Sequence, residues 1–416
     1  MSAALPAVNI AEAVRFLRST EAVRARCRAL FEAAKSGKLA HARLDLSKLD
    51  ATAAYVAGVM RESYPDLAIP YHSRWRHFDL GLDRWGPLLA EIKGGALERA
   101  VAAADLAVVS VLLDAGAGEA WRYKEPGTGL TLARSEGLAV ASLHMFHDGA
   151  FSSDKHRPFR VDAEALEAMT QAKLAHGFQV ARDNPLVGLE SRAELLRRLG
   201  LALKARPEIF GDPARPGMLI AHLVRASKTV RAHDLLVVLL ESLGPIWPSG
   251  LMFHGLNLGD VARHRLARAH HGPMGDATDG LVPFHKLSQW LAYSLIEPLE
   301  WAGATVTGLD ELTGLPEYRN GGLFIDTGVI VPAGGLAADK PLDPREEAVV
   351  EWRALTVTLL DDIAPLVRRL LNLDAARLPL AKILQGGTWS AGRKIAAEKR
   401  PGGPPPIKVA TDGTTF

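Results

Sequence analysis

Apolar residues recur every three or four positions through most of the chain, which is the spacing of amphipathic helices. The pattern is clear in residues 1–64, 87–113, 230–243 and 349–370, and helical spacing also returns after residue 162. We therefore predict a mainly α protein with small β elements. Because no stretch has the composition of a long linker, we expect one large domain or two tightly packed helical lobes.

Composition divides the chain into three parts. Residues 1–64 are rich in Ala, Leu, Arg and Glu and are predicted to form an N-terminal helical segment. Residues 65–400 form the main helical domain, which would carry catalysis or ligand binding. Residues 401–416 are rich in Pro and Gly and are predicted to form an arm that is extended or disordered.

Capping and breaking residues predict where individual helices start and stop. Ser191 with Glu194 reads as a capping box, and Asp343 followed by Pro344 reads as a helix start. Pro298 is predicted to end or kink a helix that begins near Phe284.

The helix predicted over 284–297 has one polar side. Lys286, Gln289, Trp290 and Tyr293 share it and bring an ammonium, an amide, an indole and a phenol within two turns. This combination suits a small polar ligand better than a packed core.

A Gly-rich acidic turn follows at 315–322, reading LPEYRNGG. Its paired glycines predict positive φ angles and a close approach of the backbone. Glu317, Arg319 and Asp326 fall within ten positions, so two carboxylates and a guanidinium are candidates for chemistry. A salt bridge from Glu317 to Arg319 that fixes the turn is an equally good interpretation of Glu317.

Two further stretches are candidates for binding anions. In residues 71–78, Arg74 and Arg76 alternate with Trp75 and His77, and in an extended backbone both arginines would point the same way. Near the C-terminus, Trp389 and Arg393 follow a Gly-Gly pair at the start of a short helix, whose backbone amides could hold an anion together with Arg393.

Charge and composition exclude several classes of function. The 49 basic and 47 acidic residues leave a formal net charge of +2, which gives no reason to predict a nucleic-acid or anionic-membrane partner. The single Cys27 excludes a disulfide framework and fits a reducing cytosol. We found no targeting segment and no apolar run of spanning length, so we expect a cytoplasmic protein.

We predict neither a metal nor a cofactor. His144 and His147 have a ligand-like spacing, but no further ligand motif accompanies them, and the His270-His271 pair is interpreted in the same way.

Several long motifs resemble the family of uracil catabolism protein 4. They are LTGLPEYRNGGLFIDTGVI, SRWRHFDLGLDRW, WRY with RSEGLAVASL, and ILQGGTWSAGRKIA, and together they extend from about Tyr71 to Phe416. The resemblance implies a role in a pathway that opens the uracil ring after ribosylation. It is also the reason for treating Arg122 and Arg134 as candidate binding residues.

A second resemblance concerns the order FHKxxQ followed by an acid-Tyr-Arg turn. Here these are Phe284, His285, Lys286 and Gln289, followed by Glu317, Tyr318 and Arg319, and the order is similar to the queuosine-nucleoside glycosidase family of queuine salvage. That likeness implies a helical fold distantly related to DNA glycosylases and hydrolysis of an N-glycosidic bond. The family pattern has an acid where this chain has Ser294, which leaves binding of ribose hydroxyls as the other role for Glu317.

We therefore expect an N-glycosidase that acts on a ribosyl or phosphoribosyl ureide such as ribosylurea. Glu317 and Asp326 would be catalytic, Lys286 and Arg319 would hold a phosphate or carbonyl, and an aromatic ring such as Trp75 or Trp290 would stack on the ureide.

Two other functions stay open. A non-catalytic binder of a pathway intermediate is one. The other is a phosphoribosyltransferase-like enzyme on uracil, because Val357–Asp362 resembles the acidic run of those enzymes, although it lies in a helical pattern without the phosphate loop.

Overall fold

The structure is a computed structural model that describes residues 9–248, 250–268 and 275–410. Most of these residues are helical, and the strands are two or three residues long, as the periodicity predicts. The α-helices, in chain order, are α1 Ile10–Leu17, α2 Thr20–Lys35, α3 Leu49–Ser63, α4 Trp75–Asp79, α5 Trp85–Glu91, α6 Ala96–Leu112, α7 Arg134–His147, α8 Ala163–Glu167, α9 Gln171–Gly177, α10 Leu189–Lys204, α11 Pro207–Phe210, α12 Met218–Ala226, α13 Ala232–Leu243, α14 Lys286–Trp301, α15 Tyr318–Asp326, α16 Glu347–Leu371, α17 Leu380–Lys382 and α18 Trp389–Lys399.

The strands form five separate pairs. They are β1 Ala42–Leu44, β2 Tyr123–Lys124, β3 Thr131–Leu132, β4 Thr229–Arg231, β5 Met252–Phe253, β6 Leu256–Asn257, β7 Val261–Arg263, β8 Leu281–Pro283, β9 Thr305–Thr307 and β10 Ile330–Pro332. Strand β4 pairs in parallel with β9, and the pairs β1–β10, β2–β3, β5–β6 and β7–β8 are antiparallel.

The chain folds into two compact units that alternate along the sequence. Unit 1 contains residues 9–71, 250–268, 275–286 and 310–410, and unit 2 contains residues 72–248 and 287–309. Helix α14 therefore starts with Lys286 of unit 1 and continues in unit 2.

In unit 1, α2 and α3 pack on the long helix α16, and α15 packs on α18. Ion pairs join α2 to α16, with Arg24 Nε 2.8 Å from Asp361 Oδ2 and Arg28 Nη2 2.6 Å from Asp362 Oδ1. Most of α16 is buried, so its apolar face forms the centre of this unit.

In unit 2, helix α6 is buried along almost all of its length from Ala100 to Leu112. It packs on α7 and α12, while α10 packs on α8. Asp105 is fully buried in α6, and its carboxylate is 2.7 Å from Arg215 Nη2. Pairing of this kind is what allows a charge inside an apolar helix.

Two predicted helix starts were wrong. Ser191 lies inside α10, whose N-cap is Gly188 at φ +68°. Helix α16 starts at Glu347 instead of near Asp343, because the backbone of Glu346 is extended (φ −60°, ψ 139°) and separates the turn at Asp343 from the helix. Pro298 lies inside α14, which continues to Trp301, so of its two predicted effects only a kink stays a prediction.

No helix in the described ranges combines the length and the hydropathy needed to cross a bilayer. The predicted C-terminal arm is described as far as residue 410, and His270-His271 lie outside the described residues.

Candidate functional site

Glu317 is the N-cap of α15, which explains why the chain turns into a helix at this residue. Its Oε1 accepts the backbone N–H of Asn320 at 2.5 Å, and its Oε2 accepts that of Arg319 at 2.7 Å. These bonds satisfy two of the backbone donors that every helix start leaves open. The carboxylate accepts from the Arg319 backbone, so the predicted salt bridge to the guanidinium is replaced by a cap.

The surroundings of Glu317 perturb its acidity. Burial raises the pKa of Glu317, although the residue keeps part of its surface accessible. The two backbone N–H groups, followed by the charges of Lys286 and Arg319, act in the opposite direction. A carboxyl with a raised pKa holds its proton more tightly than an ordinary carboxyl, which is the direction that suits a general acid.

Arg319 and Asn320 add buried polar atoms that lack partners. Arg319 Nη1 donates to the Gly403 carbonyl at 2.9 Å, and the guanidinium lies 5.0 Å from the centre of the Tyr318 ring, but Arg319 Nε has no acceptor. Asn320 Nδ2 donates to the Leu315 carbonyl at 3.1 Å, whereas its Oδ1 has no donor. Both residues are buried, so a ligand is the natural source of the missing partners.

The glycines of this segment allow the predicted close approach of the backbone, but they do not have positive φ angles. Gly321 and Gly322 lie inside α15 rather than in a positive-φ turn. A Cβ on Gly321 would be 2.7 Å from the Trp352 ring and 2.9 Å from Thr356 Oγ1. Gly321 therefore allows α15 to lie close to α16.

Asp326 is held at the other end of the same helix. Its two carboxylate oxygens are 2.7 and 2.6 Å from Arg400 Nη1 and Nη2, a bidentate ion pair. Nine residues of helix separate Glu317 and Asp326 by about 13 Å along the axis. Paired glycosidase carboxylates are about 5–9.5 Å apart, so these two are poorly placed to flank one bond.

A second polar cluster in unit 1 surrounds the start of α14. Asp260 forms a bidentate pair with Arg353, at 2.9 and 2.7 Å, and also accepts the Lys286 backbone N–H at 2.9 Å. Burial acts to raise the pKa of Asp260, but Arg353 and the Lys286 N–H lower it below its ordinary value. Asp260 is thus an ionised cap for the helix that carries the predicted polar face.

His285 occupies a strained position in that cluster. Its φ is +49°, which a residue with a side chain rarely adopts, and its ring is buried. Nε2 is 2.7 Å from the Leu17 carbonyl and therefore carries the proton, which leaves Nδ1 buried without a partner. Burial lowers the pKa of His285, so the imidazole is neutral.

The segment that contains Arg74 is helical, and this corrects the expectation of an extended backbone. Arg74 is the N-cap residue of α4, and the two arginines diverge. Arg74 Nη1 is 2.7 Å from Asp114 Oδ1, and Arg76 Nη2 is 2.7 Å from Glu297 Oε1. They do not converge on one anion.

The neighbouring aromatic residues divide between the core and the surroundings of Arg74. Trp75 donates from Nε1 to the Ser294 carbonyl at 2.9 Å and packs on Trp85 and Trp301, so it belongs to the core. His77 meets Trp290 edge to face, with ring centres 5.7 Å apart.

The other predicted residues lie as follows. Gln289 is fully buried, while Arg122, Arg134 and Arg393 are exposed. Arg122 Nη1 donates to the carbonyls of Glu119 and Trp121, and Arg393 lies 5.7 Å from the centre of the half-buried Trp389 ring. The unit 1 members of the predicted set are Asp326, His285, Lys286, Glu317, Tyr318, Arg319, Trp389 and Arg393, and the unit 2 members are Arg74, Trp75, Arg76, His77, Arg122, Arg134, Gln289 and Trp290.

Sequence reasoning missed two kinds of residue. Arg353 is a cation among the buried residues of α16, and such a position requires a carboxylate, which is Asp260. Asp114 and Ser110 hold Arg74, but they lie at the end of α6 and inside it, where the sequence shows only apolar neighbours. Of these, only Arg353 could have been found from the sequence, as a charged residue in an apolar helical pattern.

The acidic run Val357–Asp362 lies in the middle of α16. Asp361 and Asp362 are occupied by Arg24 and Arg28. The run therefore has neither the strand end nor the loop that phosphoribosyltransferases use.

The sequence of residues 16–416 matches the family described as "Protein of unknown function (DUF1688)". The chain belongs to this family. Two relatives align with nearly the whole length of this chain. One is "Uracil catabolism protein 4" of Lachancea kluyveri, 38% identical over 437 aligned residues, which cover 97% of this chain and 99% of the relative. The other is "Protein urg3" of Schizosaccharomyces pombe, 38% identical over 417 residues with the same coverage.

Proposed function

We propose that this chain takes part in the breakdown of uracil. The similarity to uracil catabolism protein 4 carries this proposal, because it includes 97% of the chain at 38% identity. A shared fold alone would not support a shared pathway, since one fold hosts many functions. The length of the similarity, which includes both polar clusters of unit 1, is what supports it.

For the chemical step, we propose hydrolysis of the N-glycosidic bond of a ribosylated ureide, such as ribosylurea or its phosphate. In this step the bond between C1′ and nitrogen breaks, its electron pair stays on the nitrogen, and water adds to C1′. The Glu317 carboxylate takes a proton from the attacking water and passes it to the leaving nitrogen. The products are the free sugar and urea.

The geometry around Glu317 supports this assignment. It is a partly accessible carboxyl whose pKa is raised by burial, and Lys286 and Arg319 place positive charge beside it. Arg319 Nε is a buried donor without an acceptor, and it suits a phosphate or a ureide carbonyl. The bidentate bond of Asp326 to Arg400 favours a structural role for Asp326.

One observation favours a non-catalytic binder as the second candidate. Both oxygens of Glu317 already accept backbone N–H groups, and a capping carboxylate can serve only to build the helix start. Such a protein would hold a pathway intermediate tightly and would not turn it over.

The experiment is an assay of sugar release from ribosylurea, ribosylurea phosphate, uridine and uridine monophosphate. We expect wild type to cleave one ureide, and Glu317→Gln to lose at least a hundredfold in kcat, as for removal of a general acid or base. Asp326→Asn is the matched control, since it removes a carboxylate from the same helix, and its kcat should stay within threefold of wild type.

Three outcomes would contradict the proposal. If folded wild-type protein cleaves none of the substrates, the glycosidase assignment is wrong and the binder is favoured. If Glu317→Gln retains its kcat, the acid is another residue. If Asp326→Asn loses as much activity as Glu317→Gln, the assignment of a structural role to Asp326 is wrong.

A further inference from the structure

Arg74 is held by an unusually complete set of contacts inside unit 2. Its side chain is fully buried, its Nε donates to Ser110 Oγ at 2.7 Å, and its Nη1 reaches the Ser135 carbonyl at 3.2 Å and Asp114 Oδ1 at 2.7 Å. Ser110 Oγ is in turn 2.6 Å from Ser142 Oγ. The guanidinium is therefore fixed in one orientation.

One end of this fixed guanidinium has no protein partner. Arg74 Nη2 is buried and lacks an acceptor, although Nε and Nη1 are fully used. A buried charged donor is costly to leave unpaired, and native proteins rarely do so without a reason.

A second unpaired donor lies close to it. Trp290 is 7% exposed, its Nε1 also lacks an acceptor, and the Arg74 Cζ is 5.6 Å from the centre of the Trp290 ring. Trp75, by contrast, uses its Nε1 to bond the Ser294 carbonyl. The two residues that carry these unpaired donors therefore lie against each other.

The charges around Arg74 decide what kind of acceptor would fit. Asp114 is in direct contact with the guanidinium, and the negative charge of Glu136 acts on both groups. The Asp114 carboxylate already balances the charge of the guanidinium, so a further anion would add an uncompensated negative charge in a buried setting. A neutral carbonyl oxygen accepts hydrogen bonds without adding charge.

We propose that Arg74 Nη2 and Trp290 Nε1 form a binding site in unit 2 for the carbonyl oxygen of a neutral ureido group, –NH–CO–NH–, in a ring or an open chain. The site lies within unit 2 alone, whereas Glu317 belongs to unit 1. It depends on the proposed function only for the choice of ureides as probes, and binding can be measured without turnover.

The test is calorimetric titration of the full chain carrying Glu317→Gln, which prevents turnover. The probes are uracil as a cyclic ureide, ribosylurea as an open one, orotate as an anionic form of the same ring, and adenine, which has no carbonyl oxygen. We expect uracil or ribosylurea to bind, orotate to bind at least tenfold more weakly than uracil, and adenine not to bind.

Substitutions of two tryptophans then separate binding from packing. Trp290→Phe keeps an aromatic ring and removes an unpaired donor, so it should raise the Kd about three- to tenfold, the effect of one lost hydrogen bond. It should lower the thermal midpoint less than Trp75→Phe, because both lose the same ring volume but only Trp75 also loses a hydrogen bond. Trp75→Phe is the matched control. It loses the bond to Ser294, so it should lower the midpoint and leave the Kd unchanged.

Arg74→Lys provides a third variant, because it removes Nη2 and should raise the Kd at least as much as Trp290→Phe. If this variant does not fold, Trp290→Phe decides alone. The proposal is overturned if no ureide binds, if orotate binds as well as uracil, or if Trp290→Phe binds as tightly as the parent. Absence of sugar release with intact ureide binding would contradict only the glycosidase step.

Discussion

At the scale of single residues, Glu317 combines a structural and a chemical property. The carboxylate caps α15, yet burial raises its pKa above the ordinary value of 4.5. A carboxyl with a raised folded-state pKa binds its proton more tightly in the native protein than in the unfolded chain. Its contribution to stability is therefore largest below pH 4.5 and falls as the pH rises through the folded-state pKa.

This gives a prediction for Glu317→Gln, whose side chain does not titrate. The free energy of unfolding of wild type minus that of the variant should decrease as the pH rises from 4.5 to 8, because only wild type then buries a charge. Urea unfolding of both proteins at several pH values measures this difference. The other titratable groups are the same in both proteins, so their contributions cancel.

Glu125→Gln is the control, because the pKa of Glu125 is shifted in the opposite direction to that of Glu317. The bond from Arg84 lowers the pKa of Glu125 to about 2. The stabilisation by Glu125 is lost only as the pH falls from about 4.5 towards 2. The free energy of unfolding of wild type minus that of Glu125→Gln should therefore be constant from pH 5.5 to 8. If the free energy of unfolding of wild type minus that of Glu317→Gln is equally constant, or increases with pH, then the Glu317 carboxyl is solvated and its pKa is not raised.

Residue positions could be predicted from the sequence only in part. Glu317 and Arg319 were candidates from the spacing of charged residues in the turn, and His285 was a candidate from resemblance to a known motif. The structure adds why each is unusual: Glu317 is a cap with a raised pKa, Arg319 has an unpaired Nε, and His285 has a positive φ. Partners such as Asp260 for Arg353 are distant in sequence, and single-sequence periodicity carries no information on such pairs.

At the scale of elements, helix identity was predictable and helix ends were not. The apolar spacing of α6, α13 and α16 is strong because these helices bury a wide face. Their ends depend on local bonds that compete with one another. At α16, the extended backbone of Glu346 separates Asp343 from the helix, so the sequence that resembles a helix start forms a turn instead.

The packing of α15 on α18 depends on a single glycine. A Cβ on Gly392 would lie 2.1 Å from the Arg319 carbonyl oxygen, which is backbone and cannot rotate away. We predict that Gly392→Ala lowers the free energy of unfolding by about 1–3 kcal/mol, the usual cost of overpacking. It should also impair the function of Arg319, because α15 has to shift.

Gly58→Ala is the matched control in α3. Gly58 lies in a helix and is exposed, and a Cβ there would meet nothing within 4 Å. Alanine is the better helix former by about 0.5–1 kcal/mol, so this variant should be more stable than wild type. Equal effects of the two substitutions in urea unfolding would show that α15 and α18 are not in close contact.

At the scale of the whole molecule, the sequence predicts a helical segment at 1–64 ahead of a main domain, and the units that we observe are discontinuous. Unit 1 draws on residues before 72 and after 309, because α2 and α3 pack on α16. Contacts between segments so far apart leave no mark in local composition. A division by composition therefore cannot detect them.

Removal of residues 1–64 tests this organisation. Those residues include α2, whose Arg24 bonds Asp361 and three backbone carbonyls at 310–312, and the N–H groups of Ala40 and His41, which the buried Glu351 accepts. Their loss would expose the apolar face of α16 and leave Glu351 and Asp361 as buried charges without these partners, which is strongly destabilising. We expect a chain that starts at residue 65 to be insoluble or to unfold without a cooperative transition, whereas the full chain should unfold cooperatively. A chain from residue 65 that melts cooperatively would mean that residues 1–64 are a separate appendage, as the composition suggests, and that α16 does not need α2 and α3.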